Sequence, residues 1–222
     1  VRELDSTPLI GFGGAPFTLA AYMVEGRPSR DHMAARTLAA SDPGAWDALM
    51  SWCARVSADF ITSQIEAGAS AVQLFDSWVG SLSPRTYRES VAPYSRMVAQ
   101  RVAGAVSPVT GERAPLIHFG TGSAPILADM AEVGANCVGV DWKTDLSWAI
   151  AQVPGKAVQG NLDPALLQAP WPVVEQSVRD ILDAGRSAPG HVFNLGHGVP
   201  PTTDPDVLTR IVELVHELGD AR

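Results

Sequence analysis

The chain has 222 residues, 46% of them hydrophobic, with a net charge of -8 and a pI of about 5.0. That length can bury a sizeable core, in one large domain or two small ones. The acidic balance argues against a nucleic-acid backbone or an anionic membrane as partner. The long uncharged stretch at 9–24 contains Gly11, Gly13, Gly14 and Pro16 and is too broken to span a bilayer. Cys53 and Cys137 stand far apart with no C-x-x-C pattern. They read as reduced core thiols of a cytoplasmic protein, which speaks against a disulfide or a zinc site. The opening residues do not read as a signal peptide.

Taken in chain order, continuous apolar runs predict strands at 8–12, 71–75, 116–119, 137–140, 156–159 and 191–194. Continuous rather than alternating runs suit parallel strands covered on both faces. Helical stripes fall between them. Trp46, Leu49, Met50, Cys53, Val56, Phe60 and Ile61 form the first, which makes Cys53 a packing residue. Tyr87, Val91, Tyr94, Val98 and Val102 form the second. Ile126, Met130 and Val133 form the third, after Ser123 as N-cap. Val174, Val178, Ile181 and Leu182 form the fourth. Leu208, Ile211, Val212, Val215 and Leu218 form the last, with Asp204 as cap and Pro205 in the first turn.

An internal echo joins two of these units. Residues 66–72, EAGASAV, resemble residues 132–138, EVGANCV. In both, a helix ends at a glycine, Gly68 or Gly134, able to take positive φ, and a strand follows at once. The order βαβα implies a parallel sheet. Six units with no dinucleotide fingerprint predict most of a (β/α)8 TIM barrel: a single α/β domain over 1–222 that lacks the first units of a complete barrel. An open doubly wound sheet is the alternative.

In a barrel the chemistry sits at the carboxyl ends of the strands. Those ends read Phe12-Gly13-Gly14, Asp76-Ser77, 118–123, Asp141-Trp142, Asn161-Leu162-Asp163 and 194–198, NLGHG. His197, between two glycines after a short apolar strand, is placed to face a cavity and exchange a proton near neutral pH. A turn histidine held by backbone bonds is the plainer reading. There is no G-x-S-x-G around Ser77 and no H-E-x-x-H. Residues 120–125, GTGSAP, offer N–H groups to an anion at a helix start or form an ordinary capped turn. Lys143 is the one cation near a tip.

Read together, the tips resemble the uroporphyrinogen decarboxylase family. The matching segments are 11–26, GFGGAPFTLAAYMVEG; 73–77, QLFDS; 140–142, VDW; 159–164, QGNLDP; and 194–198, NLGHG. The resemblance covers essentially the whole chain. It implies a (β/α)8 enzyme, a carboxy-lyase of haem biosynthesis, that turns uroporphyrinogen III into coproporphyrinogen III by four decarboxylations of acetate side chains, with no cofactor and no metal. It implies that Tyr22 lies near the reacting acetate, that Ser77 hydrogen-bonds a substrate carboxylate, and that His197 binds a carboxylate and helps supply protons. Phe12 and the Gly13-Gly14 backbone would line the cleft. A homodimer in the cytoplasm is also implied.

The family's arginine-bearing motif and its pyrrole-binding aspartate are absent from these residues and are expected before Val1. A polycarboxylate meeting a chain of net charge -8 needs such cations. Little or no activity is therefore expected of these residues alone, and an unclosed barrel would invite association through its strand edges. Two alternatives compete. One is a methyltransferase of the same superfamily acting on a corrinoid or thiol with zinc held by His and Cys. The other is a non-catalytic module that binds a tetrapyrrole or other anion.

Overall fold

A computed structural model describes residue 4 and residues 7–219. In chain order the elements are β1 (Ile10–Gly14), α1 (Pro16–Glu25), α2 (Met33–Ser41), α3 (Pro43–Glu66), β2 (Ala71–Asp76), α4 (Pro84–Ser90), α5 (Ala92–Val102), β3 (Leu116–Gly120), α6 (Leu127–Ala131), β4 (Cys137–Gly139), α7 (Leu146–Gln152), β5 (Ala157–Gln159), α8 (Trp171–Gly185), β6 (His191–Val192) and α9 (Pro205–Gly219). All six expected strands are present. The first runs two residues beyond its expected end, because Gly13 and Gly14 continue the parallel pairing with Leu74 and Phe75.

The strands follow one another in sequence order, β1-β2-β3-β4-β5-β6. A doubly wound sheet reverses its order at a switch point. This order has none, so the α/β fold is the incomplete (β/α)8 type and not the open alternative. The chain divides into two compact units, Val1–Cys137 and Val138–Arg222.

In the first unit, β1 pairs with β2 from Ile10↔Ala71 to Gly14↔Phe75, and β2 with β3 from Val72↔Leu116 to Asp76↔Gly120, all parallel. α3 buries Trp46, Met50, Cys53, Ala54, Ser57, Ala58, Ile61 and Ile65. Val56 and Phe60, expected on the core stripe, are exposed. The reason is close approach: a β-carbon on Gly13 would sit 2.9 Å from Ile61 Cγ1 and 3.3 Å from Ser57 Oγ. Small residues at 54, 57 and 58 let the helix settle onto β1, so they share the inward face with Met50 and Ile61 while Val56 and Phe60 turn out. Removing a buried side chain here, such as Met50 or Ile61, to alanine costs about 2–5 kcal/mol.

In the second stripe Tyr87, Val91, Val98 and Val102 are buried and Tyr94 only partly, and the stripe is broken. Val91, at φ -132° and ψ -50°, separates α4 from α5, and Pro93 in the first turn of α5 has no N–H to extend α4. Ser123 stands at the N-cap of a short 3-10 turn, Ala124–Ile126, but its side chain makes no capping bond. Its hydroxyl donates to the Gly120 carbonyl at 2.9 Å. Gly68 and Gly134 both adopt φ +113°, so the expected helix-to-strand joint repeats.

In the second unit, β5 and β6 pair in parallel at Val158↔His191 and Gln159↔Val192. α8 and α9 enclose Leu162, Leu167, Val174, Val178, Ile211 and Leu214. The Asp204 carboxylate accepts the Asp206 N–H at 3.0 Å, and Pro205 opens α9, as the cap pattern predicts. Val212 faces solvent instead of the core.

Candidate active site

In the first unit, side chains alternate along β1, so Gly11 and Gly13 face α3 while Phe12 points the other way and is 60% exposed. The Phe12 and Phe75 rings meet in a T-shaped arrangement, at 5.7 Å between centroids. Its backbone is held from the helix side: the Gln64 amide accepts the Phe12 N–H at 2.9 Å and donates to the Phe12 carbonyl at 2.8 Å. The Gly14 carbonyl accepts the Ser57 hydroxyl at 2.6 Å, and a β-carbon at Gly14 would come 2.7 Å from Leu19.

β2 ends at Asp76, and Ser77 and Trp78 follow. Ser77 is half-buried, and its carbonyl accepts the Thr121 hydroxyl. Tyr22, on the last turns of α1, is 50% exposed and packs on Trp78 at 3.7 Å between centroids. Behind Trp78 lies His32, stacked at 4.5 Å and only 3% exposed. His32 adopts φ +49°. The Ser81 hydroxyl donates to the Trp78 carbonyl at 3.0 Å and lies 3.0 Å from His32 Nδ1. With that hydroxyl proton used, Nδ1 carries the hydrogen and Nε2 is a bare, buried acceptor without a partner. Burial holds the His32 pKa below 6.5, against the raising fields of Glu25 and Asp31.

Beneath Ser77 lies a fully buried polar cluster. The Asp76 Oδ1 accepts the Thr18 hydroxyl at 3.1 Å, and Asp76 Oδ2 stands 3.5 Å from His118 Nε2. That last distance allows attraction to a protonated imidazole, but neither atom has hydrogen-bond geometry. The 120–123 turn is used internally. Gly122 takes φ +64°, and a β-carbon at Gly80 would collide with the Thr121 carbonyl at 2.3 Å.

In the second unit, the Asp141 carboxylate accepts the Thr144 hydroxyl at 2.9 Å and the Lys143 N–H at 3.2 Å. The Asn161 amide donates to the carbonyls of Asp141 and Thr144 at 2.9 and 2.6 Å. Two tip motifs therefore build one turn, which presents Trp142. The exposed His197 ring meets the Trp142 edge-on at 5.5 Å, and Lys143 Nζ lies 4.9 Å from the same ring. Gly196 lies against the Trp142 backbone, where a β-carbon would come within 2.2 Å of its nitrogen. A cleft of about 260 Å³ opens among Trp142, Asn161, Asp145, Asp163, Asp180 and Ile181, and His197 does not line it. Its three carboxylates would repel a polyanion.

The uroporphyrinogen decarboxylase family model matches residues 1–218. The chain belongs to the uroporphyrinogen decarboxylase family. Uroporphyrinogen decarboxylases of Arthrobacter sp. (strain FB24) and Salinispora tropica are 56% and 57% identical to it, over 99% and 98% of this chain. The one from Streptomyces coelicolor is 56% identical over 97%. The chain spans 62%, 57% and 59% of the length of these relatives. A methyltransferase from Methanosarcina mazei shares the fold, with a TM-score of 0.80 at 19% identity over 98% of this chain and 61% of that one.

Of the residues the family resemblance singles out, Phe12, Tyr22 and Ser77 stand in the first unit, Tyr22 and Ser77 both at the β2 tip. Gly13 and Gly14 join β1 to α1 and face helices. His197 stands in the second unit beside Trp142. Sequence reasoning missed Thr18, His32, Trp78 and the Asp76–His118 pairing. Trp78 carried a signal, since it follows Ser77 at a strand end, and His32 carried none. The methyltransferase alternative requires thiolate ligands. Cys53 and Cys137 are both buried, and no group of three or more His, Cys, Asp or Glu side chains among the described residues could hold a metal ion. No helix among the described residues is long and apolar enough to cross a membrane.

Proposed function

We propose that this chain carries substrate-binding and proton-handling residues of a uroporphyrinogen decarboxylase, acting on uroporphyrinogen III to give coproporphyrinogen III. The observation that carries this is the β2 tip of a family member, where the half-exposed Tyr22 packs on Trp78 next to Ser77. In each round a pyrrole carbon takes a proton and the ring becomes cationic. The bond to the carboxylate then breaks, carbon dioxide leaves, and its electron pair neutralises the ring as an exocyclic methylene. A second proton on that methylene gives the methyl group, and the first proton then leaves the ring carbon to restore the pyrrole, so one acetate loses one carbon dioxide for one net proton gained. Neither a cofactor nor a metal takes part.

Tyr22 lies near the reacting acetate, Ser77 hydrogen-bonds a carboxylate, and the exposed Phe12 ring borders the tetrapyrrole. Gly13 and Gly14 serve through shape, by letting α3 and α1 close on β1. His197 binds a carboxylate and helps supply protons. The protein acts in the cytoplasm as a homodimer, which sedimentation tests.

The relatives are longer than this chain, so the assay runs on two samples: the 222 residues alone, and the same residues joined to the additional length of the Arthrobacter relative. Each is incubated anaerobically with uroporphyrinogen III, without added metal, and products are separated by chromatography. Coproporphyrinogen III from the longer sample and little from the shorter is the expected result. No product from a folded longer sample overturns the proposal, and binding without product identifies a tetrapyrrole-binding module.

A further inference from the structure

The fully buried Asp76 sits one residue before Ser77, and its partner Thr18 sits one helical turn before Tyr22. Residues four apart on a helix share a face, so Thr18 and Tyr22 both look from α1 towards the β2 tip. They meet it at two successive levels: Thr18 Oγ1 donates to Asp76 Oδ1 at 3.1 Å, 58 residues away in sequence, and the Tyr22 ring packs on Trp78 at 3.7 Å. Nothing in simple packing needs a carboxylate at this place. Asp76 is wholly inside, its Oδ2 has no hydrogen bond, and the two ring nitrogens of His118 opposite have none either. Burying such groups costs stability, and an isolated carboxylate there is tolerated because His118 Nε2 stands 3.5 Å away and Thr18 donates to it.

We infer that Asp76 is a positioning residue: through Thr18 it clamps α1 to the β2 tip, so that Tyr22 and Ser77 face one bound carboxylate as a fixed pair. The inference rests on the decarboxylase reading for its consequence and on geometry alone for the clamp. A hydroxyl-to-carboxylate hydrogen bond is directional and stronger than a neutral one. It therefore fixes the rotation of α1 about its axis, which apolar contacts from Phe17, Ala20 and Ala21 leave less defined. A small error in that rotation is enough to matter, since about 1 Å of misplacement can cost about 100-fold in rate.

Two measurements test this. The first is the nuclear Overhauser effect between the Tyr22 and Trp78 rings in the 222-residue chain. It should persist in the unsubstituted chain and in Thr18→Ser, which keeps the hydroxyl, and should vanish in Thr18→Val, which keeps the shape. If Thr18→Val does not fold, Asp76→Leu removes the acceptor in its place. An unchanged effect in the variant lacking the bond overturns the clamp.

The second is a kinetic cycle in the longer protein. Thr18→Val should change kcat/KM by about ten-fold or more in the native background and by less than about two-fold in a Tyr22→Ala background, with Thr18→Ser restoring it. Equal effects in both backgrounds mean that Thr18 acts on stability alone and also overturn the inference. No turnover in any background, while Thr18→Val still separates the Tyr22 and Trp78 rings, upholds the clamp and counts against the decarboxylase reading only.

Discussion

Tyr22 packs its ring on the indole of Trp78 with 3.7 Å between centroids and 36° between planes, and His32 stacks on Trp78 at 4.5 Å. Three aromatic rings from α1, the β2 tip and the loop before α2 thus form one layered support, with the phenol at its exposed end. Tyr22→Phe keeps the ring and removes the phenol. Because that ring is half exposed, stability should hold within about 0.5 kcal/mol. In the longer protein, turnover of uroporphyrinogen III should fall by about 100-fold if the hydroxyl handles protons. Steady-state kinetics beside a thermal melt check this, and unchanged turnover would remove Tyr22 from the chemistry.

The inner ring of that support makes the fold sensitive to acid. Burial holds His32 below its ordinary 6.5, while the unfolded chain binds the proton near that value. Above pH 6.5 neither state is protonated and the native state keeps its full stability. As pH falls from 6.5 towards the lowered native pKa, the unfolded state takes up a proton the native state resists, and stability is lost. Calorimetry between pH 7.5 and pH 5 should show a steeper fall in melting temperature for the native chain than for His32→Gln. Parallel curves would assign the acid sensitivity elsewhere.

Gly196 is required by contact, not by backbone torsion. A β-carbon there meets the Trp142 nitrogen at 2.2 Å and its Cα at 2.7 Å. Gly196→Ala must push the 194–198 loop away from Trp142 and shift the His197 ring from its edge contact. The cost of such overpacking is about 1–3 kcal/mol. Urea titration measures it, and the His197 imidazole resonances should move. A variant with native stability and native resonances would show that the loop yields freely.

Lys143, held over Trp142 at 4.9 Å, places a cation within reach of the ring that His197 also touches. In the longer protein, on the proposed decarboxylase reading, Lys143→Glu should raise KM for uroporphyrinogen III by several-fold at low ionic strength, and the difference should shrink as salt is added. An effect independent of salt would argue for a packing change instead of a field.

The two cysteines should be silent. With Cys53 raised to about 11 and Cys137 to about 12, and both side chains buried, a thiol-specific chromogenic reagent at pH 8 should titrate neither in the native chain and both in denaturant. Rapid native reaction of either would mean that its surroundings open readily.

The strands were legible as unbroken apolar runs, although β1 is covered on one face alone, and Gly68 and Gly134 were legible because the joint needs positive φ. Val56 and Phe60 misled for a physical reason. Helical spacing gives the period of a stripe but not its phase, and here Ala54, Ser57 and Ala58 face inward because β1 approaches closely. Tyr22 stood out only through the family pattern, since nothing local separates it from any helix-face aromatic. The Asp76–His118 pair could not be read at all. It exists only because the β2–β3 register sets Leu74 opposite His118 and Asp76 opposite Gly120.

Gln64 carries a consequence for the timescale on which β1 can be seen to open. Its amide answers both the N–H and the carbonyl of Phe12, as a neighbouring backbone would. The Phe12 amide proton should therefore exchange with deuterated solvent slowly although its strand ends the sheet order, and its rate should report the rotamer of one side chain on α3 and not the breathing of the sheet. A helix thereby sets the clock of a strand it does not extend.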